Sequence, residues 1–283
     1  MPLSPAQWPE PDLARLVARL RAAGCVFAED EAALLVREAG DRSEPDALAR
    51  MTRARVGGTP LEQVLGWAEL RGVRVAVRPG VFVPRQRTGL LVDVALGWVR
   101  PGTVVVDLGC GTGALAAVVR AAVPAADIWA ADLDPAAVAC ARLNLPADRV
   151  VEGDLYDALP AALRGRVQVL MANGPYVPPR AVQHLPPEAR EHEHRMALDG
   201  GADGLDVQRR VVSGARAWLA PGSLILVETG RPQLAASLAM GTAAGLEART
   251  WQDDETGGLV VGGLSPPSAP TAGPGAGGRG RPT

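Results

Sequence analysis

Lysine is missing from this chain, so all 29 basic residues are arginine. Beside abundant alanine, glycine and proline, that bias reads as coding composition and not as a function. The 31 acidic residues leave a net charge of -2, without the basic excess that a dedicated nucleic-acid binder needs for phosphate contacts. A local basic patch stays open. Cysteine is scarce: Cys25, Cys110 and Cys140 are odd in number and lack metal-ligand spacing, which points away from a disulfide framework and from a zinc site. A reducing compartment fits. No stretch approaches the roughly 18 apolar residues of a membrane span, and the N-terminus lacks the basic start and apolar core of a signal peptide. The expectation is a soluble, cytoplasmic protein with no membrane partner.

What is present is a globular composition, 47% hydrophobic and 21% charged over 283 residues, enough for one large domain and a small one. Leu13, Leu16, Val17 and Leu20 recur at helical steps after Pro11-Asp12, and Gly24 breaks the pattern. Residues 32–39 repeat it before Gly40, and residues 43–46 look like the cap of a third helix running to Val56, before Gly57-Gly58. A small helical bundle over residues 1–65 is expected. Its arginines (Arg15, Arg19, Arg21, Arg37, Arg42, Arg50, Arg53, Arg55) read first as a solvated outer face, with an acidic partner or RNA as the alternative. From Gly66 the period changes to two, and residues 67–70 and 73–77 flank Arg71-Gly72 as a hairpin. That hairpin, residues 66–79, would link the bundle to a larger unit over residues 80–264, entered at Pro79-Gly80 and Pro84.

In the larger unit, strand patterns at residues 103–108, 128–131, 150–151, 167–172 and 223–227 alternate with helical ones at 114–122, 135–142, 205–219 and 232–244. Two closing strands near 248–251 and 258–261 could form a hairpin at a sheet edge. Such alternation means an α/β fold, a parallel sheet with helices on both faces. Residues 265–283 offer nothing to bury and are expected to form a disordered tail.

Chemistry concentrates at the strand ends. Asp107 closes the first strand of the unit, and Gly109, Cys110, Gly111, Thr112 and Gly113 turn directly into a helix. Glycines there let a ligand approach the backbone, and a helix start favours a negative group. The spacing is Gly-x-Gly-x-Gly, not the Gly-x-Gly-x-x-Gly of dinucleotide folds. Asp132, ending the next strand, is placed for ribose hydroxyls, and Asp154 and Leu155, after the third, for an adenine ring. Acids at three consecutive strand ends are hard to explain as core packing. Asn173-Gly174-Pro175-Tyr176 follows the apolar run 167–172, at the carboxyl end where open α/β sheets bind ligands. One side-chain carbonyl, nearby backbone carbonyls and a flat aromatic would hold a planar NH2 group by accepting its protons. The same residue types also make a plain strand-ending turn. His192-Glu193-His194 offers two histidines without a third ligand, so surface residues and no metal are expected.

With these motifs the chain resembles the S-adenosylmethionine-dependent methyltransferases, and within them the peptide chain release factor glutamine N5-methyltransferases. The resemblance runs from about Pro60 to Val261. It is carried by Pro-Leu-Glu-Gln-Val-Leu-Gly at 60–66, Phe-Val-Pro-Arg-Gln-Arg-Thr at 82–88, the turn at 107–113, the tetrapeptide at 173–176 and Ala-Leu-Asp-Gly-Gly-Ala-Asp-Gly-Leu at 197–205. It implies a Rossmann-like class I methyltransferase sheet preceded by the bundle and hairpin. S-adenosyl-L-methionine would lie among Asp107, residues 109–113, Asp132, Asp154, Leu155 and Asn173, and Asn173 to Tyr176 would hold the target amide. The chain departs from the family pattern at Gly174 (usually Pro), Gln86-Arg87 (Pro then an acid), Gly89 (Glu), Leu155 (an aromatic) and His194 (Pro). Gly174 keeps the backbone carbonyl expected to accept a proton and loses only stiffness, about 0.4 to 1 kcal/mol.

The leading reading is therefore methyl transfer to the N5 amide of a protein glutamine, plausibly in a release factor. Transfer to exocyclic amines of nucleic acid is a second reading, although no basic groove or target-recognition region is visible. A cofactor-binding protein without turnover is the third.

Overall fold

The helical spacing of the N-terminal apolar residues becomes α1 (Glu10–Ala22), α2 (Ala28–Asp41) and α3 (Ala47–Val56), joined by a short α4 (Leu61–Leu65). The computed structural model describes residues 10–267 apart from Ser43 and Pro45. Leu16 and Leu20 meet Leu35, Val36 and Met51 in a core of their own. Asp46 precedes α3 without a side-chain cap bond, and its expected companions Ser43 and Pro45 lie outside the described residues. The solvated-face reading holds for Arg15, Arg19, Arg21, Arg37, Arg50 and Arg53. It fails for Arg55, which is buried, and for Arg42, whose Nη2 donates to the Leu65 carbonyl at 2.6 Å.

The hairpin forms as β1 (Trp67–Leu70) and β2 (Val73–Ala76), paired antiparallel from Trp67↔Ala76 to Leu70↔Val73. It is more than a link. Ala68, Leu70 and Val75 are buried in the main core, and the Asn144 side chain bonds both the N–H and the carbonyl of Ala76.

The main unit follows as α5 (Gly89–Leu96), β3 (Val104–Leu108), α6 (Ala114–Ala122), β4 (Asp127–Asp132), α7 (Pro135–Asn144), β5 (Val150–Glu152) and β6 (Val167–Ala172). Then come the short helices α8 (Pro179–Val182) and α9 (Pro187–His192), followed by α10 (Asp206–Ala215), β7 (Leu219–Glu228), α11 (Leu234–Ala243), β8 (Glu247–Asp253) and β9 (Gly258–Leu264). The seven-stranded sheet has the order β5-β4-β3-β6-β7-β9-β8. Its first five strands are parallel, and β9 runs antiparallel to both neighbours. The sheet is thus mixed: the closing hairpin inserts its second strand beside β7 and leaves β8 at the edge. All of β3 is buried because both faces are covered, by α5, α6 and α7 on one side and by α10 and α11 on the other.

Two boundaries differ from the sequence expectation. Helix α10 stops at Ala215 and β7 already begins at Leu219, which pairs with Val167 through a bulge that no apolar alternation announces. Ser265, the first residue of the expected tail, is held in place: its Oγ accepts from Ser223 N at 2.8 Å and donates to the Ala220 carbonyl at 2.8 Å. Residues 268–283 lie outside the described part.

The chain goes from β3 outward through β4 to β5, then returns to the other side of β3 for β6 and β7. That reversal opens a crevice at the carboxyl ends of β3 and β6, where such sheets take ligands.

Candidate active site

Two cavities occupy this crevice. The first, about 180 Å³, is walled by the turn after β3 (Gly109, Cys110, Gly111, Thr112), by Asp132, by Asp154 and Leu155, and by Asn173, Gly174 and Pro175. Asp132 organises it. Its Oδ2 accepts from Gly111 N at 2.8 Å and its Oδ1 from Asp134 N at 2.9 Å, tying the glycine turn to the start of α7. Burial pushes the Asp132 carboxyl above its ordinary value, and those backbone donors oppose the shift. Asp154 at the rim pairs with Arg210 at 2.8 Å.

Asp107 and Gly113 stand apart from the set grouped in the sequence, because neither lines the cavity. Asp107 is fully buried under the turn, where its Oδ2 accepts from Ala116 N at 3.3 Å and its Oδ1 has no partner among the described residues. Burial pushes its carboxyl up to about 7. At Gly113 a Cβ would stand 2.9 Å from Leu145 Cδ1, so this glycine serves the packing of α6 on α7.

The second cavity, about 190 Å³, is walled by Pro60, Phe82, Arg85, Arg87, Tyr176 and residues of the 177–198 segment. It shares Phe82, Asn173, Gly174, Pro175 and Ala197 with the first, so the tetrapeptide is a partition between the two. Asn173 donates its Nδ2 to Thr88 Oγ1 at 3.3 Å, an orientation that leaves Oδ1 as an acceptor. The Tyr176 hydroxyl donates to Glu228 Oε1 at 3.0 Å and accepts from Arg87 Nη2 at 2.8 Å, while Arg87 Nε reaches the same carboxylate at 3.1 Å. Burial and the Glu228 charge push the phenol up to about 12, keeping it a donor. Arg87, which stands where the family resemblance leads one to expect an acid, is therefore matched by buried Glu228 at the end of β7.

The motif at 197–205 buttresses the tetrapeptide. Gly200 N donates to the Val177 carbonyl at 2.9 Å and Val177 N to the Leu198 carbonyl at 3.2 Å. A Cβ on Gly200 would lie 2.7 Å from the Pro175 oxygen and 2.8 Å from Tyr176 Cα, closer than any real side chain comes. Gln233 Nε2 holds the Tyr176 carbonyl at 2.8 Å. Gly174 has a steric side that stiffness alone did not suggest: a Cβ there would meet Val207 Cγ1 at 2.9 Å.

The His192-Glu193-His194 triplet is not a surface feature throughout. Glu193 is buried and accepts from Val83 N at 3.1 Å and Arg85 Nη2 at 2.6 Å, and His194 Nδ1 meets Asp134 Oδ2 at 2.5 Å. The sequence reading also passed over Thr88 and Glu228. Thr88 closes the motif at 82–88, and Glu228 ends an apolar strand as Asp132 does, the signal by which the other site carboxylate was found.

A family model described as the methyltransferase small domain matches residues 73–189. The release factor glutamine methyltransferase of Bordetella pertussis is 37% identical over 246 residues, covering 84% of this chain and 89% of that protein. The 4-amino-L-phenylalanine/4-methylamino-L-phenylalanine methyltransferase of Streptomyces pristinaespiralis is 36% identical over 71% of each chain. Among solved structures, a methyltransferase from Pyrococcus furiosus shares the fold with a TM-score of 0.51 at 16% identity, over 69% of this chain and 90% of that one.

Proposed function

The chain belongs to the release factor glutamine methyltransferase family, and from that premise we propose that it methylates the N5 amide of a glutamine in a protein, a peptide chain release factor, across the partition formed by Asn173-Gly174-Pro175. The observation that carries this reading is the pair of cavities sharing that partition. The cofactor is S-adenosyl-L-methionine, and the first cavity fits it. Nothing lies within 4 Å of where a Cβ on Gly111 would stand, so the backbone is open to close approach. Asp132 keeps lone pairs beyond the two amides it holds. Residues 109–112, Asp132, Asp154, Leu155 and Asn173 would hold the cofactor, with Asp107 and Gly113 supporting them from below. Bound there, it supplies a methyl group on a cationic sulfur.

The protein's task is alignment, because an amide nitrogen is a poor nucleophile whose lone pair is delocalised. Asn173 Oδ1 and the Gly174 carbonyl accept the two N–H protons, which fixes the amide plane and favours charge growing on nitrogen. Thr88 keeps Asn173 from rotating. Tyr176, held by Arg87, Glu228 and Gln233, walls the acceptor side. The nitrogen's pair would make the new bond to the methyl carbon as the carbon–sulfur bond breaks and its electron pair returns to sulfur, leaving a neutral thioether, and one N–H proton would leave along the Asn173 or Gly174 hydrogen bond to water.

Residues 1–65, 66–79 and 80–264 would act as substrate-binding part, link and methyltransferase domain, in the cytoplasm, with no direct nucleic-acid partner. Among the described residues no helix is long and apolar enough to cross a membrane. Incubation with radiolabelled cofactor and a release factor tests the proposal: label should enter the factor and be lost when its acceptor glutamine is replaced by alanine. The Streptomyces pristinaespiralis relative favours one other acceptor, a free aromatic amine. Label entering 4-amino-L-phenylalanine, and not the release factor, would decide for it.

A further inference from the structure

The segment between β6 and α10 covers both cavities: Glu188 and Ala189 of α9 line the second, Met196 lines the first, and Ala197 lines both. Its helices are four and six residues long, too short to hold themselves in place. Its anchors come from elsewhere. One is the N-terminal bundle. Arg55, 8% exposed at the end of α3, makes a bidentate pair with Glu31 of α2 (Nε to Oε2 at 2.5 Å, Nη2 to Oε1 at 3.0 Å), and its Nη1 bonds the Thr59 carbonyl at 3.2 Å and Glu188 Oε1 at 2.5 Å. Gln63 of α4 adds a bond to the His192 carbonyl at 3.0 Å.

We infer that Arg55 is a positioning residue of the acceptor cavity: through Glu188 it fixes the covering segment, and so makes acceptor binding depend on the packing of the N-terminal helices. The inference rests on the acceptor-cavity reading above. Its basis is that Arg55 is committed on all sides. A guanidinium buried in a helical bundle is expensive unless paired, and Glu31 alone would pair it. The third contact leaves the bundle and ends on a residue lining the cavity. Arg55 also occupies an inward position of α3, in step with Ala47 and Met51, where packing alone would favour an apolar side chain. Glu188, 44% exposed on its side chain, is held by this one ion pair among the described residues.

The test compares Glu188→Gln, Arg55→Gln, Arg55→Lys and the double variant Arg55→Gln/Glu188→Gln in the full-length enzyme, with release factor as acceptor. Each single Gln variant should raise the acceptor KM by about tenfold, the worth of one charge-assisted hydrogen bond, with kcat and cofactor affinity within about twofold. The double variant should be no worse than the poorer single one, because both weaken the same contact. Arg55→Lys should recover part of the loss. Hydrogen exchange across residues 179–192 should quicken in Glu188→Gln, a variant at a partly exposed site that leaves the bundle core untouched. An unchanged KM and unchanged exchange in a folded Glu188→Gln variant would overturn the inference, as would effects that multiply in the double variant. The exchange measurement needs no acceptor. Failure of the wild-type enzyme to label release factor would therefore count against the proposed function, while slow exchange lost in Glu188→Gln would still uphold the anchor.

Discussion

At the scale of single residues, Asn173 and Gly174 make separable demands. Asn173→Ala removes the acceptor assigned to the reacting NH2 and should lower turnover about a hundredfold or more, as for loss of one preorganised polar contact. Cofactor affinity, measured by calorimetry, should fall much less. For Gly174→Pro, stiffness alone predicts retained or slightly raised activity. The 2.9 Å approach to Val207 changes that expectation: the proline variant should lose activity alone and regain it when combined with Val207→Ala. Asp107 gives a pH prediction. Its folded-state carboxyl lies near 7 against an ordinary 3.8, so the folded protein binds the proton more tightly. Its stabilising effect is complete below about pH 4 and is lost as pH rises through 7. Asp107→Asn should flatten the decline of Tm between pH 4 and 7, and an equal decline in both proteins would refute the buried, uncompensated carboxyl. None of this could be read from residue identity. Asp107 and Asp132 look alike in sequence, and only strand pairing decides which faces the cavity.

Among the elements, the parallel strands were the most legible. The apolar runs ending in Asp107, Asp132 and Ala172 are short, rich in β-branched or small residues and closed by turn formers. Helix α5 was missed because Gly89 opens it and seven of its eight residues are apolar or glycine, which hides any helical period. Helices α8 and α9 were missed for the opposite reason, being pieces of four and six residues that each open on a pair of prolines. The motif at 197–205 was recognisable only as a resemblance, yet its structural task is specific. Gly200→Ala should force the loop off the Pro175 and Tyr176 backbone, destabilising the protein by about 1 to 3 kcal/mol as an overpacking substitution and abolishing transfer. Rescue by no second-site change in the cofactor cavity, together with near-normal cofactor binding, would place the damage at the acceptor side. Full activity of the variant would show that the buttress is dispensable.

For the whole molecule, the bundle and the sheet are bound together more closely than their sequence textures suggest. Pro60 lines the second cavity, and the hairpin shares the main core. Removing residues 1–65 should still leave cofactor binding measurable, since residues 109–112, Asp132 and Leu155 stay on the sheet. It should abolish transfer to a whole protein acceptor. A truncated enzyme with full activity on release factor would overturn this division of labour.

The shared partition also has a use in inhibitor design. Because Phe82, Asn173, Gly174, Pro175 and Ala197 border both cavities, one molecule could join an adenosine-bearing half to a glutamine-bearing half across the wall. The second half would then bind at an effective concentration set by the tether, commonly in the millimolar range for a short one. Affinity should peak at the tether length that just spans Asn173 and Gly174 and fall on either side, so a ligand series of graded length would serve as a ruler for the path along which the methyl group travels.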